Sequence, residues 1–162
     1  MSGDMKRYYE ENSRKVFLYL MTLCNDPDIA EELTQDTFYQ ALLSLRKYKG
    51  ESSVFTWLCG IARNLWLREK RSRGRHPSAE LPPDTPDTSA APDRAAEEHD
   101  EAQRLAALID ALPERERQLV LLRSQGGLSF RELGELLGWS ENGARVTYCR
   151  LRQRLKTELE KE

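Results

Sequence analysis

The chain has 162 residues, 39% hydrophobic and 32% charged, enough for one ordinary domain or two small ones and of a composition that suits a mostly helical soluble protein. Its net charge of −2 excludes a wholesale nucleic-acid coat, and no apolar run reaches the roughly 18 residues of a membrane span. The opening MSGDMKRYYEEN lacks a signal-peptide apolar core, so a cytoplasmic location is expected.

Residues 4–24 read as a first helix, with Tyr8, Val16, Tyr19, Leu20 and Leu23 supplying apolar spacing. Asn25-Asp26-Pro27-Asp28 interrupts it, and Pro27 is placed to open the next helix. That helix, 29–46, gathers Ala30, Leu33, Thr37, Ala41 and Leu45 on one side with Phe38 at the edge. Asp28, Glu32, Gln35, Asp36 and Tyr39 fall on the other side; such an acidic face is either solvated or docks a basic helix of a partner. A loop over 47–53 leads to a third helix started by Ser52 or Ser53. Its expected buried stripe is Val54, Leu58, Ile61, Ala62 and Leu65. Thr56, Gly60, Arg63, Asn64, Leu67, Lys70 and Arg71 point the other way, with Trp57 and Trp66 flanking. Arginines that track phosphates, an amide and nearby rings could hold a single strand with an unstacked base. Taken singly, each tryptophan reads as core or rim packing, while Tyr48 and Phe55 suit either packing or a strand contact.

His76 to Arg94 holds five of the seven prolines and no apolar periodicity, the marks of a linker. The expected organisation is an all-α chain of two small helical domains, 1–76 and 99–162, joined by a flexible acidic linker, 77–98. Residues 95–112 read as helical, and Pro113 opens a helix over 114–123 whose Leu119 and Leu122, with Leu112, would pack beneath the two helices C-terminal to it. Ser129 with Glu132 three residues on is a capping-box start. Phe130, Leu133, Leu136 and Leu137 then run to Gly138, suited to a left-handed helix end, and Ser140 starts a second helix. The short gap forces the two helices to cross, with Gly134 letting the backbones approach. This is the layout of a DNA-reading helix-turn-helix.

The last helix divides by face. Ala144, Tyr148, Leu151 and Leu155 recur at i, i+4, i+7 and i+11, opposite Asn142, Arg145, Val146, Cys149, Gln153 and Lys156. From Asn142 to Lys156 there are five Lys/Arg and no acid. Arginines meet phosphates and guanine edges, and Asn or Gln can pair with adenine. A solvated basic helix is the plain alternative; the tight two-glycine turn favours DNA. The charge map agrees: residues 63–75 carry six Lys/Arg against one acid, and 80–104 carry eight acids against two arginines. That pattern suggests two DNA-facing surfaces and a spacer repelled by DNA, and free in solution the two basic domains would fold together and mask their DNA faces. Cys24, Cys59 and Cys149 are widely separated and form no CxxC pair, so reduced thiols without a metal are expected. No phosphate loop and no nucleophile beside a base is present, so no catalytic residue, cofactor or small-molecule substrate is expected.

DIAEELTQDTF (28–38), YKGESSVFTWLCGIARN (48–64) and LPERERQLVLLRSQGGLSFRELGELLGWSENGARV (112–146), in this order around an acidic linker, resemble the extracytoplasmic-function (ECF) class of bacterial sigma factors. The resemblance covers nearly the whole chain outside the linker. It implies a region 2-like domain that binds and opens the −10 element, and a region 4-like domain that reads the −35 element. It also implies binding to core RNA polymerase, both the β′ clamp helices and the β subunit, and regulation by an anti-sigma factor. Asp28, Glu32, Gln35, Asp36 and Phe38 would then serve polymerase binding. Lys49, Gly50, Glu51, Ser52, Ser53, Trp57, Arg63, Asn64, Lys70 and Arg71 would serve the −10 element, with the loop and Asn64 helping to hold a flipped base. Asn142, Arg145, Val146, Cys149, Arg150, Gln153 and Arg154 would serve the −35 element. Ala144, Thr147 and Cys149 differ from the residues common in the class, which bears on the −35 sequence read rather than on the binding mode. The competing expectations are a stand-alone helix-turn-helix regulator and a helical protein-binding adaptor.

Overall fold

The structure, a computed structural model, describes residues 2–75 and 93–161. These form seven α-helices, α1 (Ser2–Cys24), α2 (Pro27–Ser44), α3 (Val54–Arg75), α4 (Asp93–Asp110), α5 (Glu114–Ser124), α6 (Phe130–Leu137) and α7 (Glu141–Glu160), with a 3-10 turn at Leu45–Lys47. Of the expected linker, residues 93–98 belong to α4 instead, and the rest lies outside the described residues. The alanines and glutamates there form a helix readily, although their acidity reads as a spacer.

The N-terminal module is a bundle of α1, α2 and α3. Its first corner is set by Asn25 at a positive φ of 53° and by Asp26, whose carboxylate accepts from the backbone N–H groups of Asp28 and Ile29 at 3.0 and 3.4 Å. Pro27 occupies the first turn, where its missing N–H costs nothing. Ser53 starts α3, its hydroxyl accepting from Thr56 N–H at 3.1 Å. The core of this module is Val16, Tyr19, Leu20, Ala30, Leu33, Phe38, Ala41, Phe55, Leu58, Cys59 and Ala62. The stripe expected for α3 is therefore turned. Phe55 and Cys59 are buried, whereas Val54, Ile61 and Leu65 are only half-buried, because α3 packs against α1 and α2 on one side and against α6 near its start. Phe38, assigned by resemblance to the polymerase-facing set, is corrected to core: it is 6% exposed and meets Tyr9 edge-on at 5.0 Å.

The C-terminal module packs α4 to α7 around Leu112, Leu119, Val120, Leu122, Leu128, Leu133, Leu137, Ala144, Leu151 and Leu155. The capping box forms as expected: Ser129 Oγ accepts from Glu132 N–H at 3.0 Å, and the Glu132 carboxylate accepts from Ser129 N–H at 3.2 Å. Gly138 closes α6 at φ 84°, and Ser140 Oγ caps α7 by accepting from Gly143 N–H. At Gly134 a Cβ would lie 2.5 Å from the Trp139 carbonyl oxygen, so only glycine allows α6 this close to the chain entering α7. At the far end, Arg104 donates to the carbonyls of Leu159 and Lys161 at 3.1 and 2.8 Å and satisfies acceptors that α7 leaves open.

The modules touch. Arg117 donates to the Thr22 carbonyl at 2.8 Å, and Gln118 Nε2 donates to Thr22 Oγ1 at 3.3 Å. Lys15 pairs with Glu132 at 2.9 Å, Ser53 N–H donates to Glu135 Oε1 at 2.6 Å, and Arg63 faces Glu114 at 3.8 Å. The expectation that the two halves fold together is met in this respect. The expected masking of the DNA faces is not seen: the basic face of α7 stays open, and of the expected −10 residues only Ser53 and Arg63 make polar contacts with the other module.

Candidate nucleic-acid interface

On α7 the four back residues seat the helix: Ala144, Leu151 and Leu155 are buried and Tyr148 is half-buried. All seven residues expected to face −35 DNA, Asn142, Arg145, Val146, Cys149, Arg150, Gln153 and Arg154, are exposed. At 3.6 residues per turn Asn142, Cys149 and Gln153 run up the middle, Arg145 and Val146 flank them, and Arg150 with Arg154 forms one edge. Arg145 is steadied at its base. Its guanidinium lies 3.6 Å from Glu141 and 5.3 Å from the centroid of Phe130, a ring that also carries Arg123 at 4.2 Å. A cation held over a ring loses less side-chain freedom when it meets DNA. Phe130 was read from sequence only as core; its spacing gives no sign of this second use.

On the N-terminal module the expected −10 residues divide into two groups. Tyr48 stacks on Trp57 with ring centroids 4.6 Å apart and planes at 25°, and the Tyr48 hydroxyl donates to the Ser52 carbonyl. Gly50 turns the loop at φ 75°. Together Lys47, Tyr48, Lys49, Glu51, Ser52 and Trp57 line a small open cavity of ≈ 170 Å³. Arg63, Asn64, Lys70 and Arg71 are exposed further along α3. Trp57, Asn64 and Arg71 fall at i, i+7 and i+14 on one line, so Asn64 sits about 10 Å beyond Trp57 and outside the cavity lining. The loop and Asn64 are thus not brought into one pocket. Phe55, left open between packing and strand contact, is buried, and Tyr48 belongs to the cavity.

On α2, Asp28, Glu32, Gln35 and Asp36 are exposed. The same face continues into Tyr39, Leu42 and Leu43, which are 61%, 45% and 63% exposed. Leu42 and Leu43 were missed from sequence, although both continue the Gln35–Tyr39 and Asp36–Tyr39 spacing. Among the described residues no cluster of three or more His, Cys, Asp or Glu could hold a metal, and no helix is long and apolar enough to cross a membrane. Burial pushes the Cys59 thiol well above its ordinary range, and Cys24 is raised mainly by the same cause.

Two family profiles match this arrangement: Sigma-70 region 2 over residues 8–76 and Sigma-70, region 4 over residues 102–155. The RNA polymerase sigma factor YlaC of Bacillus subtilis is 28% identical over 96% of this chain and 90% of its own. The ECF RNA polymerase sigma factor ShbA of Streptomyces griseus is 33% identical over 78% of this chain and 69% of its own. The fold is shared with the sigma factor RpoE of Bartonella quintana, solved in complex with the anti-sigma factor NepR, at a TM-score of 0.61, 22% identity and 98% coverage of both chains. The chain belongs to the ECF RNA polymerase sigma factors of the sigma-70 family.

Proposed function

We propose that the chain carries core RNA polymerase to its promoters, with α7 in the major groove of the −35 element and α3 with the 49–53 loop on the −10 element. The observation that carries this reading is the pairing, in one chain, of an unbroken exposed basic face on α7 with a ring-lined cavity at the start of α3. On the −35 side, Arg145 and the Asn142–Cys149–Gln153 line meet base edges, and Arg150 and Arg154 meet phosphates. On the −10 side, the cavity beside Trp57 takes one unstacked base, lined by Lys49, Glu51 and Ser52 beside Gly50 and Ser53. Arg63, Asn64, Lys70 and Arg71 follow the strand onward. Polymerase docks on the α2 face through Asp28, Glu32, Gln35 and Asp36, extended by Tyr39, Leu42 and Leu43; an acidic stripe beside exposed apolar groups suits a basic amphipathic helix pair such as the β′ clamp helices. Phe38 supports that face from beneath. The chain acts in the cytoplasm and carries out no chemistry of its own, RNA synthesis being the work of the polymerase. An anti-sigma factor is its expected regulator, as RpoE is held by NepR.

Run-off transcription with core polymerase on a promoter library tests this. Defined start sites that depend on the chain are expected. Protection of duplex operator by the chain alone, with no effect on core polymerase, would instead identify a stand-alone regulator.

A further inference from the structure

Of the five Lys/Arg between Asn142 and Lys156, one is held differently from the rest. The Arg145 guanidinium lies 3.6 Å from the Glu141 carboxylate and 5.3 Å from the centroid of the Phe130 ring, while its side chain stays 49% exposed. Among the described residues, no ion pair and no cation–ring contact involves Arg150, Arg152, Arg154 or Lys156. The ring is in turn fixed by three helices. Phe130 opens α6 directly after the Ser129 cap. Arg123 of α5 lies 4.2 Å from the ring centroid and donates to the Leu128 carbonyl at 2.8 Å. Tyr148 of α7 meets the ring at 5.7 Å with planes at 55°. A half-buried phenylalanine so braced does more than fill the core: it carries the rigidity of the α5–α6 corner to the exposed face of α7.

We infer that Phe130 is a positioning residue for −35 recognition: with Glu141 it orients Arg145, so that this one arginine discriminates between bases. The inference rests on the assignment of α7 to the −35 element. The two tasks of an arginine on DNA differ in what they ask of it. A phosphate accepts hydrogen bonds from many directions, so a mobile guanidinium finds it without prior orientation. A guanine edge accepts two hydrogen bonds from one guanidinium, which must arrive near the plane of the base. A side chain already held loses less freedom on binding. A ring suits this purpose because guanidinium stacks by its face and keeps its N–H edge for another acceptor. The free Arg150 and Arg154 suit phosphates on the same grounds.

The test uses the full-length chain reconstituted with core RNA polymerase. The holoenzyme selects from a promoter library randomised over the −35 element, and the retained DNA is sequenced. The variants are Phe130→Leu, Phe130→Tyr, Glu141→Gln, Arg145→Ala and the pair Phe130→Leu/Arg145→Ala. Arg145→Ala should erase the preference at the base pair that Arg145 reads. Phe130→Leu keeps an apolar side chain but no π face. It should lower discrimination at that same base pair by about two- to fivefold, the size of an exposed cation–ring contact, and leave the other positions and the salt slope unchanged. Phe130→Tyr should restore it. Glu141→Gln changes only an exposed group and should relax the same base pair, which keeps the test open if Phe130→Leu fails to fold. In the Arg145→Ala background Phe130→Leu should change nothing further, because the ring acts only through that arginine. A merely structural role would lower the melting temperature, weaken every sequence alike and persist without Arg145. Discrimination that survives both Phe130→Leu and Glu141→Gln overturns the inference, as does a loss spread over all positions or repeated in the Arg145→Ala background. A wild-type holoenzyme that prefers no base anywhere in the −35 element overturns the assignment of α7, and the inference with it.

Discussion

The same substitution at two glycines should have opposite signs. Gly134 and Gly60 both lie inside helices, α6 and α3, where alanine is favoured over glycine by about 0.5–1 kcal/mol. At Gly60 nothing lies within 4 Å of a new Cβ, so Gly60→Ala should stabilise by about that amount. At Gly134 the new Cβ would sit 2.5 Å from Trp139 O and 3.1 Å from Ser140 O, backbone atoms with no side-chain freedom to yield. The Gly134 carbonyl also accepts from the N–H groups of Gly138 and Trp139 at 2.8 and 2.9 Å, so moving α6 away strains the turn itself. Overpacking costs typically about 1–3 kcal/mol; less the propensity gain, Gly134→Ala should lose about 1–2 kcal/mol and about 3–8 °C in Tm. Because relief swings α7 and Arg145 with it, affinity for a −35 duplex should fall as well. Thermal melting by circular dichroism and duplex titration give both numbers. A Gly134→Ala chain as stable as Gly60→Ala, with unchanged duplex affinity, would refute the close approach of α6 and the turn.

Phe38→Ala removes a buried ring and should cost about 3–4 kcal/mol of stability, whereas Leu43→Ala, on the exposed face, should leave the melting curve unmoved and weaken core polymerase in a pull-down; the reverse pattern would undo the correction made for Phe38. Arg145→Ala should cost about 1–3 kcal/mol at a −35 duplex and relax base preference, while Arg154→Ala should weaken all sequences alike and reduce the salt slope by about one, as titrations at several salt concentrations would read. For Glu132, partial burial raises the carboxyl, but hydrogen bonds from Lys15 and Ser129 outweigh it and leave the group below its ordinary value of 4.5. The unfolded chain therefore binds the proton more readily, and the Glu132 contribution to stability is present above the ordinary value of 4.5 and is lost as pH falls through the depressed value. Thermal melting at pH 7, 5 and 4 should show the wild type losing this contribution at the acid end, and Glu132→Gln lacking it at every pH.

Sequence carried the local features and lost the tertiary ones. The caps at Ser129 and Ser140 and the left-handed Gly138 are set by neighbours within four residues, so each was legible; the Asp26 cap is as local, but only the Pro27 helix start beside it was read. The faces of α7 were legible because apolar period and charge agree there. In α3 they do not: a helix packed on two sides has a wide apolar arc, and spacing alone could not choose Phe55 and Cys59 over Val54 and Leu65. Phe38 stands at the edge of its stripe by period and becomes core only because Tyr9 of α1 covers it. The Ser53–Glu135 contact joins residues 82 apart in sequence and has no local signature. The ring-lined cavity was legible in parts, as loop and aromatics, but the Tyr48–Trp57 stack and the distance to Asn64 needed the fold.

The contact between the modules mixes polar bonds with apolar burial. The apolar cores of the two halves, α1 to α3 and α4 to α7, run together into one buried cluster, with Leu18 of α1 reaching Gly126. Polar contacts join them as well: three acid–donor contacts and the Arg117 and Gln118 bonds to Thr22. Water can replace all of these once the surfaces open. Beside them, between α1 and the α4–α5 pair, lies an open cavity of ≈ 530 Å³ lined by Leu18, Met21, Leu105, Ile109 and Leu121 among others. Apolar side chains that face each other across a gap forgo the dispersion contacts a close-packed interface would supply. A tight apolar seam there would bind the halves permanently and forbid a span of two promoter elements.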